Sequence, residues 1–181
     1  MITEYLAFLR ALNVGRRRVS MPALLALFAQ AGMTELRTAL ASGNVRFCSE
    51  ESDPTRLEKH LETHLRAALG YEVETFIRTP AEVRQCLANL PWDEATLEPG
   101  ETVLVVFLKQ PPDVERAARL AQHQSPVDEL RLLGREIYWR ARAGVSGSRV
   151  RWPALTRDLG GPTTTRGATA LRKIELQTDW S

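Results

Sequence analysis

The sequence predicts an α+β protein built from two antiparallel sheets, with helices packed on one face of each. Three observations predict it. The first 79 of its 181 residues order as strand, helix, strand, strand, helix, strand. The rest, entered through a further helix, starts the same order again with a strand, a helix and a hairpin. The helical segments carry apolar stripes bounded by caps, and the longest clean apolar run, Val103–Leu108, is six residues. That is far below the roughly 18 residues that a membrane helix needs.

The elements follow in chain order. Tyr5 to Leu12 is apolar enough for a buried strand and ends in Asn13-Val14-Gly15. Ser20 reads as an N-cap with Pro22 in the first turn, where a missing N–H costs nothing. Leu24, Leu25, Leu27 and Phe28 recur at helical spacing, and Gly32 stops that helix. Residues 36–41 and 45–49 read as short strands joined at Ser42-Gly43-Asn44, a hairpin signal. Asp53-Pro54 opens a second helix whose stripe is Leu57, Leu61, Leu65 and Leu69, and Gly70 closes it. Residues 72–78 alternate as a half-buried strand.

This order is the ferredoxin-like split βαβ unit, or α-β plait. Thr79-Pro80-Ala81-Glu82 then forms a capping box for a helix over 80–89. A loop over 90–100 leads to a central strand over 102–109, and Pro111-Pro112-Asp113 starts a helix reaching about residue 122. Strands over 129–133 and 136–142 join at Gly134-Arg135. Residues 143–149 read as a flexible loop, and Thr165 to Leu176 as a final helix. The expected organisation is thus one ferredoxin-like unit over 1–79 and a second over 80–181 with C-terminal helices and no clear last strand.

Apolar residues make up 44% and charged residues 25%, ordinary globular usage that excludes wholesale disorder, collagen and a coiled coil. No basic leader precedes the first apolar stretch, so no signal peptide is expected. Cys48 and Cys86 have no partner motif and read as reduced thiols of a cytoplasmic protein. No cofactor or metal is expected. His60 and His64 share a helix face at i,i+4 spacing but have no third ligand in view, and His123 reads as structural.

Charge is distributed unevenly around a net +2. Residues 1–130 carry 14 Lys and Arg against 18 Asp and Glu, whereas residues 131–173 carry 10 against 2. Such a basic segment points to an anionic partner, a small molecule or a nucleic acid, unless acidic residues elsewhere balance it in space. Two candidate sites follow. The loop Asn13–Arg18 follows a strand, contains Gly15, carries Arg16, Arg17 and Arg18, and leads into a helix N-terminus, where amides and dipole favour anions. It matches neither the P-loop nor the dinucleotide-binding pattern. In the strand over 136–142, Tyr138, Arg140 and Arg142 share one face, a basic and aromatic face suited to stacking bases and pairing phosphates. Ser42 and Asn44, turn residues, are also candidate ligand-binding residues, and the turn is expected at the opposite end of the sheet from the Asn13 loop.

Several of these residues together resemble a bacterial family catalogued as domain of unknown function 1697. The carriers are Ala7-Phe8-Leu9-Arg10, Asn13-Val14-Gly15, Met21, Ser42-Gly43-Asn44-Val45, Arg78-Thr79, Thr165-Arg166 and Lys173. The resemblance implies two ferredoxin-like halves and no established activity. It adds Arg10, Thr165 and Arg166 to the candidate ligand-binding residues. The family tends to have Gly where Ala11 and Arg16 stand, and Asn-Trp where this chain has Gly167-Ala168. Three function classes stay open: a binder of an anionic ligand, a protein-interaction or structural module, and an enzyme on a small phosphorylated or carboxylated substrate. No catalytic residue is identifiable.

Overall fold

β1 (Thr3–Arg10) is buried along its middle, from Tyr5 through Leu9, rather than on alternate residues. A strand covered on both faces reads as a continuous apolar run, as this one does. The structure, a computed structural model, describes residues 2–40 and 43–177. Two compact units divide the chain. One comprises Met1–Arg84 with the residues from Lys173 onward, the other Gln85–Arg172.

In the first unit, β1 is followed by α1 (Met21–Gln30), β2 (Thr34–Thr38), β3 (Asn44–Ser49), α2 (Pro54–Leu69) and β4 (Glu74–Arg78). The sheet order is β2-β3-β1-β4, with every neighbouring pair antiparallel. Tyr5, Ala7 and Leu9 of β1 join Val45, Phe47 and Ile77 against Leu24 and Phe28 of α1 and Leu57, Leu61 and Leu65 of α2. The stripe read from the sequence is therefore the buried face of α2. Asp53 caps it through the Thr55 amide at 2.9 Å, and Gly70 ends it in the left-handed region at φ 76°.

β2 lies at 34–38 instead of 36–41. Glu35 takes φ 49° where the pairing with β3 slips by one residue, a bulge, and Leu40 turns into the left-handed region at φ 58°. Such bends follow from the pairing partner and leave no mark in a five-residue propensity pattern.

α3 (Pro80–Ala88) begins at the expected box: Glu82 Oε2 accepts the Thr79 amide at 2.7 Å, and Thr79 Oγ1 accepts the Glu82 amide at 3.2 Å. The second unit continues through β5 (Thr102–Leu108), α4 (Val114–Arg119), β6 (Asp128–Leu133), β7 (Glu136–Ala141), α5 (Trp152–Asp158), β8 (Thr163–Gly167) and α6 (Ala168–Leu176). α6 runs past the boundary at Lys173. The sheet order β6-β7-β5-β8 repeats that of the first unit. Leu104, Val106, Ile137 and Trp139 pack with Leu120 and with Leu155 and Leu159 of the α5 region, and Trp152 meets Trp139 edge-on at 4.9 Å.

The repeat is complete, and here the sequence reading needs correction. Residues 163–167 are a strand paired with β5, and the final helix starts only at Ala168. Thr163-Thr164-Thr165 is β-branched but has no apolar alternation to announce a strand, so the partner decides. The segment 143–149 is also better held than expected. Asp128, 1% exposed, accepts the Arg149 amide at 2.7 Å, Ser125 Oγ at 2.8 Å and Trp139 Nε1 at 3.0 Å. Among the described residues, no helix is long and apolar enough to cross a membrane.

Candidate functional site

The end of the first sheet where β1 finishes gathers most of the candidate residues. β1 and β3 are antiparallel, with Phe8 opposite Asn44, and the Leu9 amide donates to the Gly43 carbonyl at 2.7 Å. The hairpin therefore lies at the same end of the sheet as the Asn13 loop, not at the opposite end. A strand leaving upward and a hairpin whose second strand descends beside it must meet at the top. Ser42 lies outside the described residues.

The loop is ordered by its own side chains. Asn13 Oδ1 accepts the Val19 amide at 2.8 Å, and Asn13 Nδ2 donates to the Val19 carbonyl at 3.4 Å. Asn13 thus clamps the loop and spends its amide group doing so. Arg18 donates to the carbonyls of Gly15 at 3.0 Å and Arg17 at 2.7 Å. The Arg17 guanidinium lies 4.3 Å from the centre of the Tyr71 ring, and Tyr71 Oη donates to the Leu12 carbonyl at 2.9 Å. Gly15 takes φ 64°, which a side chain would strain. Among the described residues, no carboxylate pairs with Arg16, Arg17 or Arg18, and all three are exposed. Arg10, by contrast, is tied to Glu74 of β4. Asn44 is only 4% exposed, a hairpin residue.

The helix N-terminus offers fewer donors than the sequence implies. Ser20 Oγ accepts the Ala23 amide at 3.3 Å, the Ser20 carbonyl accepts the Leu24 amide at 2.9 Å, and Pro22 has no N–H. Any anion here would meet guanidiniums first, with the helix dipole as a background field.

The second candidate face does not survive folding as an open platform. Tyr138 is 2% exposed and its hydroxyl donates to the Cys86 carbonyl at 3.1 Å, so its ring is a core ring. Burial pushes its hydroxyl pKa far above the ordinary tyrosine value. Arg140 donates to Glu101 Oε2 at 2.5 and 3.1 Å. Arg142 bridges Glu101 at 3.4 Å and Glu129 at 3.0 Å, and Arg131 takes Glu129 at 2.7 Å. The Arg140 hydrogen bond holds the Glu101 carboxyl below the usual carboxylate range. Counted over Gln85–Arg172, twelve Lys and Arg face ten Asp and Glu. The basic segment of the sequence is balanced in space by acids from earlier in the chain.

Thr165 and Arg166 sit on β8, opposite Val106 and Val105 of β5, just before α6 begins at Ala168. Arg166 donates to Thr164 Oγ1 and the Thr165 carbonyl, both at 2.9 Å, and burial pushes its pKa down to about 10. It belongs to the second unit, as do Tyr138, Arg140 and Arg142. His60 Nε2 lies 2.8 Å from the Ala31 carbonyl, bracing α2 to the end of α1. Burial, with Glu4 and Glu35 nearby, pushes the Cys48 thiol pKa up, away from a reactive thiolate. The sequence reading missed Tyr71 and Glu74. Both follow Gly70, Tyr71 just before β4 and Glu74 at its start, where the antiparallel pairing of β4 with β1 sets Glu74 opposite Arg10.

Comparison with known proteins agrees with this architecture. No curated protein matches the chain. The solved structure of a conserved bacterial protein from Streptococcus pneumoniae is 23% identical and superposes with a TM-score of 0.73, covering 97% of this chain and 98% of that one. At that identity the likeness speaks for the fold, two plaits in one chain. The model of the family described as "Protein of unknown function (DUF1697)" matches residues 2–138, and the chain belongs to that family.

Proposed function

We propose that the protein binds a small anionic ligand, phosphorylated or carboxylated, at the β1–α1 end of its first unit. One contrast carries this reading. Arg131, Arg140 and Arg142 pair with Glu101 and Glu129, whereas Arg16, Arg17 and Arg18 stand together on a braced loop where, among the described residues, no carboxylate pairs with them. Arg17 is held by the Tyr71 ring and Arg18 by backbone carbonyls, so much of the ordering entropy of two long side chains is already spent before a ligand arrives. Planar guanidiniums suit phosphate and carboxylate oxygens.

Calorimetric titration of the full chain with pyrophosphate at low salt tests it. Replacing Arg16, Arg17 and Arg18 by Ala together should weaken binding at least about tenfold, since hydrogen bonds to charged groups contribute about 1.5–3 kcal/mol each. Absence of pyrophosphate binding, or binding indifferent to the triple substitution, would refute the reading.

A further inference from the structure

The corresponding end of the second unit is built differently. There the Leu108 amide donates to the Arg135 carbonyl at 2.9 Å, as Leu9 does to Gly43 in the first unit. Instead of an arginine loop it holds a half-open cavity of about 330 Å³, within the range of small-molecule sites, roughly 300–1,000 Å³. Its walls are apolar and stiff: Leu108, Leu159, Pro111, Pro112 and Pro162. The ring of each proline fixes φ, and the Gly160 and Gly161 amides are tied to the Arg157 and Thr156 carbonyls, both at 3.1 Å.

Two ionisable side chains line the cavity, Lys109 and Arg116, and both are cations. No carboxylate lines it. Arg116 is positioned by what it rests on. A Cβ built on Gly160 would fall 2.3 Å from its Nη1 and 2.6 Å from its Cζ, so the guanidinium lies close against the Gly160 backbone. Gly160 also takes φ 80°, which independently favours glycine. Among the described residues, the carboxylate paired with it is Asp113, which reaches Nε at 3.5 Å in a half-exposed pair. Such a pair contributes little and cannot occupy the five donors of the guanidinium.

We propose that this cavity binds a small organic anion, a carboxylate on a compact apolar body. The acid group meets Arg116, and the body fills the space between the leucines and prolines. The apolar walls give no role to a bare inorganic ion, and Arg116 gives no role to a neutral hydrocarbon.

Amide-resolved NMR titration of the full chain with benzoate tests this, with benzyl alcohol as the neutral analogue and inorganic phosphate as charge without body. Benzoate should give saturable shifts at Gly160 and Gly161. Benzyl alcohol should bind at least about tenfold more weakly, and Arg116→Gln should weaken benzoate by a similar factor. Arg116 is half-exposed, so that variant should keep the wild-type spectrum elsewhere. If it does not, the comparison of the three probes on wild-type protein still decides. Three results would overturn the proposal: no saturable shift at Gly160 and Gly161, equal binding of benzoate and benzyl alcohol, or equal binding of benzoate and phosphate. Shifts confined to residues 13–18 would report the arginine loop and would count against this cavity.

Discussion

Glu58 of α2 accepts the amide of Ile77 on the edge strand β4 at 2.8 Å, and Glu62, one turn later, accepts that of Thr75 at the same distance. Two strand residues advance about 6.8 Å and four helix residues about 6.0 Å, so alternate amides of a strand match i,i+4 carboxylates of a helix beside it. β4 ends the sheet, and its outward amides would otherwise be unpaired or open to another chain. The helix closes the edge with two acceptors.

Glu58 is 3% exposed. Glu58→Ala leaves a buried amide without its acceptor and should destabilise the protein by about 1–3 kcal/mol. Glu58→Gln keeps an acceptor oxygen and should cost less. Urea unfolding midpoints of the two variants give the comparison; equal losses would show that the edge bond contributes nothing.

Ala11 takes φ 60° directly after β1. An L-residue in the left-handed region is strained by about 1–2 kcal/mol, which glycine avoids at some cost in unfolded-chain entropy. Ala11→Gly should therefore stabilise by about 0.5–1 kcal/mol. For a chain of this size that raises Tm by about 2–4 °C per kcal/mol, readable by calorimetry. A lower Tm would mean that the methyl group contributes more than the strain costs.

Asp128 links stability to acid. Burial alone would raise its pKa, but hydrogen bonds from Ser148, the Arg149 amide, Ser125 and Trp139 outweigh burial, and the net shift is downward. A carboxyl whose folded pKa lies below its unfolded value of about 3.9 contributes stability that is fully present above that value. The contribution is lost as pH falls through the folded pKa. Unfolding midpoints measured between about pH 2 and 6 should fall steeply below about pH 4, and Asp128→Ala should flatten that limb. The variant should also be less stable at neutral pH, because each orphaned donor costs about 1–3 kcal/mol. An unchanged acid limb would show that other carboxyls set the acid sensitivity.

Arg140 and Arg142 should prove structural. Glu101 has 6% of its side chain exposed and depends on both arginines. Replacing the pair by Ala should lower Tm and leave the salt dependence of binding to an oligothymidylate unchanged. Removing Arg16, Arg17 and Arg18 should instead flatten the slope of log affinity against log salt by about two, at about 0.7 per phosphate contact on a single strand. The reverse pattern would restore the β7 face as the anion site.

The α2 stripe, the caps at Ser20, Asp53 and Thr79, and the apolar runs of β1 and β5 could be read from the chain because each depends on neighbours within a few residues. The repeated plait followed from their order. The end of the sheet where the hairpin lies is set by strand direction: β3 runs antiparallel to β1, so the β2–β3 hairpin meets the β1–α1 loop at the same end. The positive charge of residues 131–173 was legible too, and misleading. Charge is additive along a sequence, whereas its effect depends on distance, and Glu101 and Glu129 are close only after β5, β6 and β7 pair.

By itself, the sequence determined which segments are helix or strand wherever local periodicity and capping agree, and the number of plaits. Tertiary structure decided everything that rests on a partner remote in the chain. β8 is a strand because β5 lies beside it. Tyr138 is core because Cys86 takes its hydroxyl. Among the described residues no carboxylate pairs with the arginines of the Asn13 loop, and Glu74 pairs instead with Arg10. The physical reason is the same in each case: hydrogen bonds and ion pairs act over a few ångströms, and only folding sets those distances.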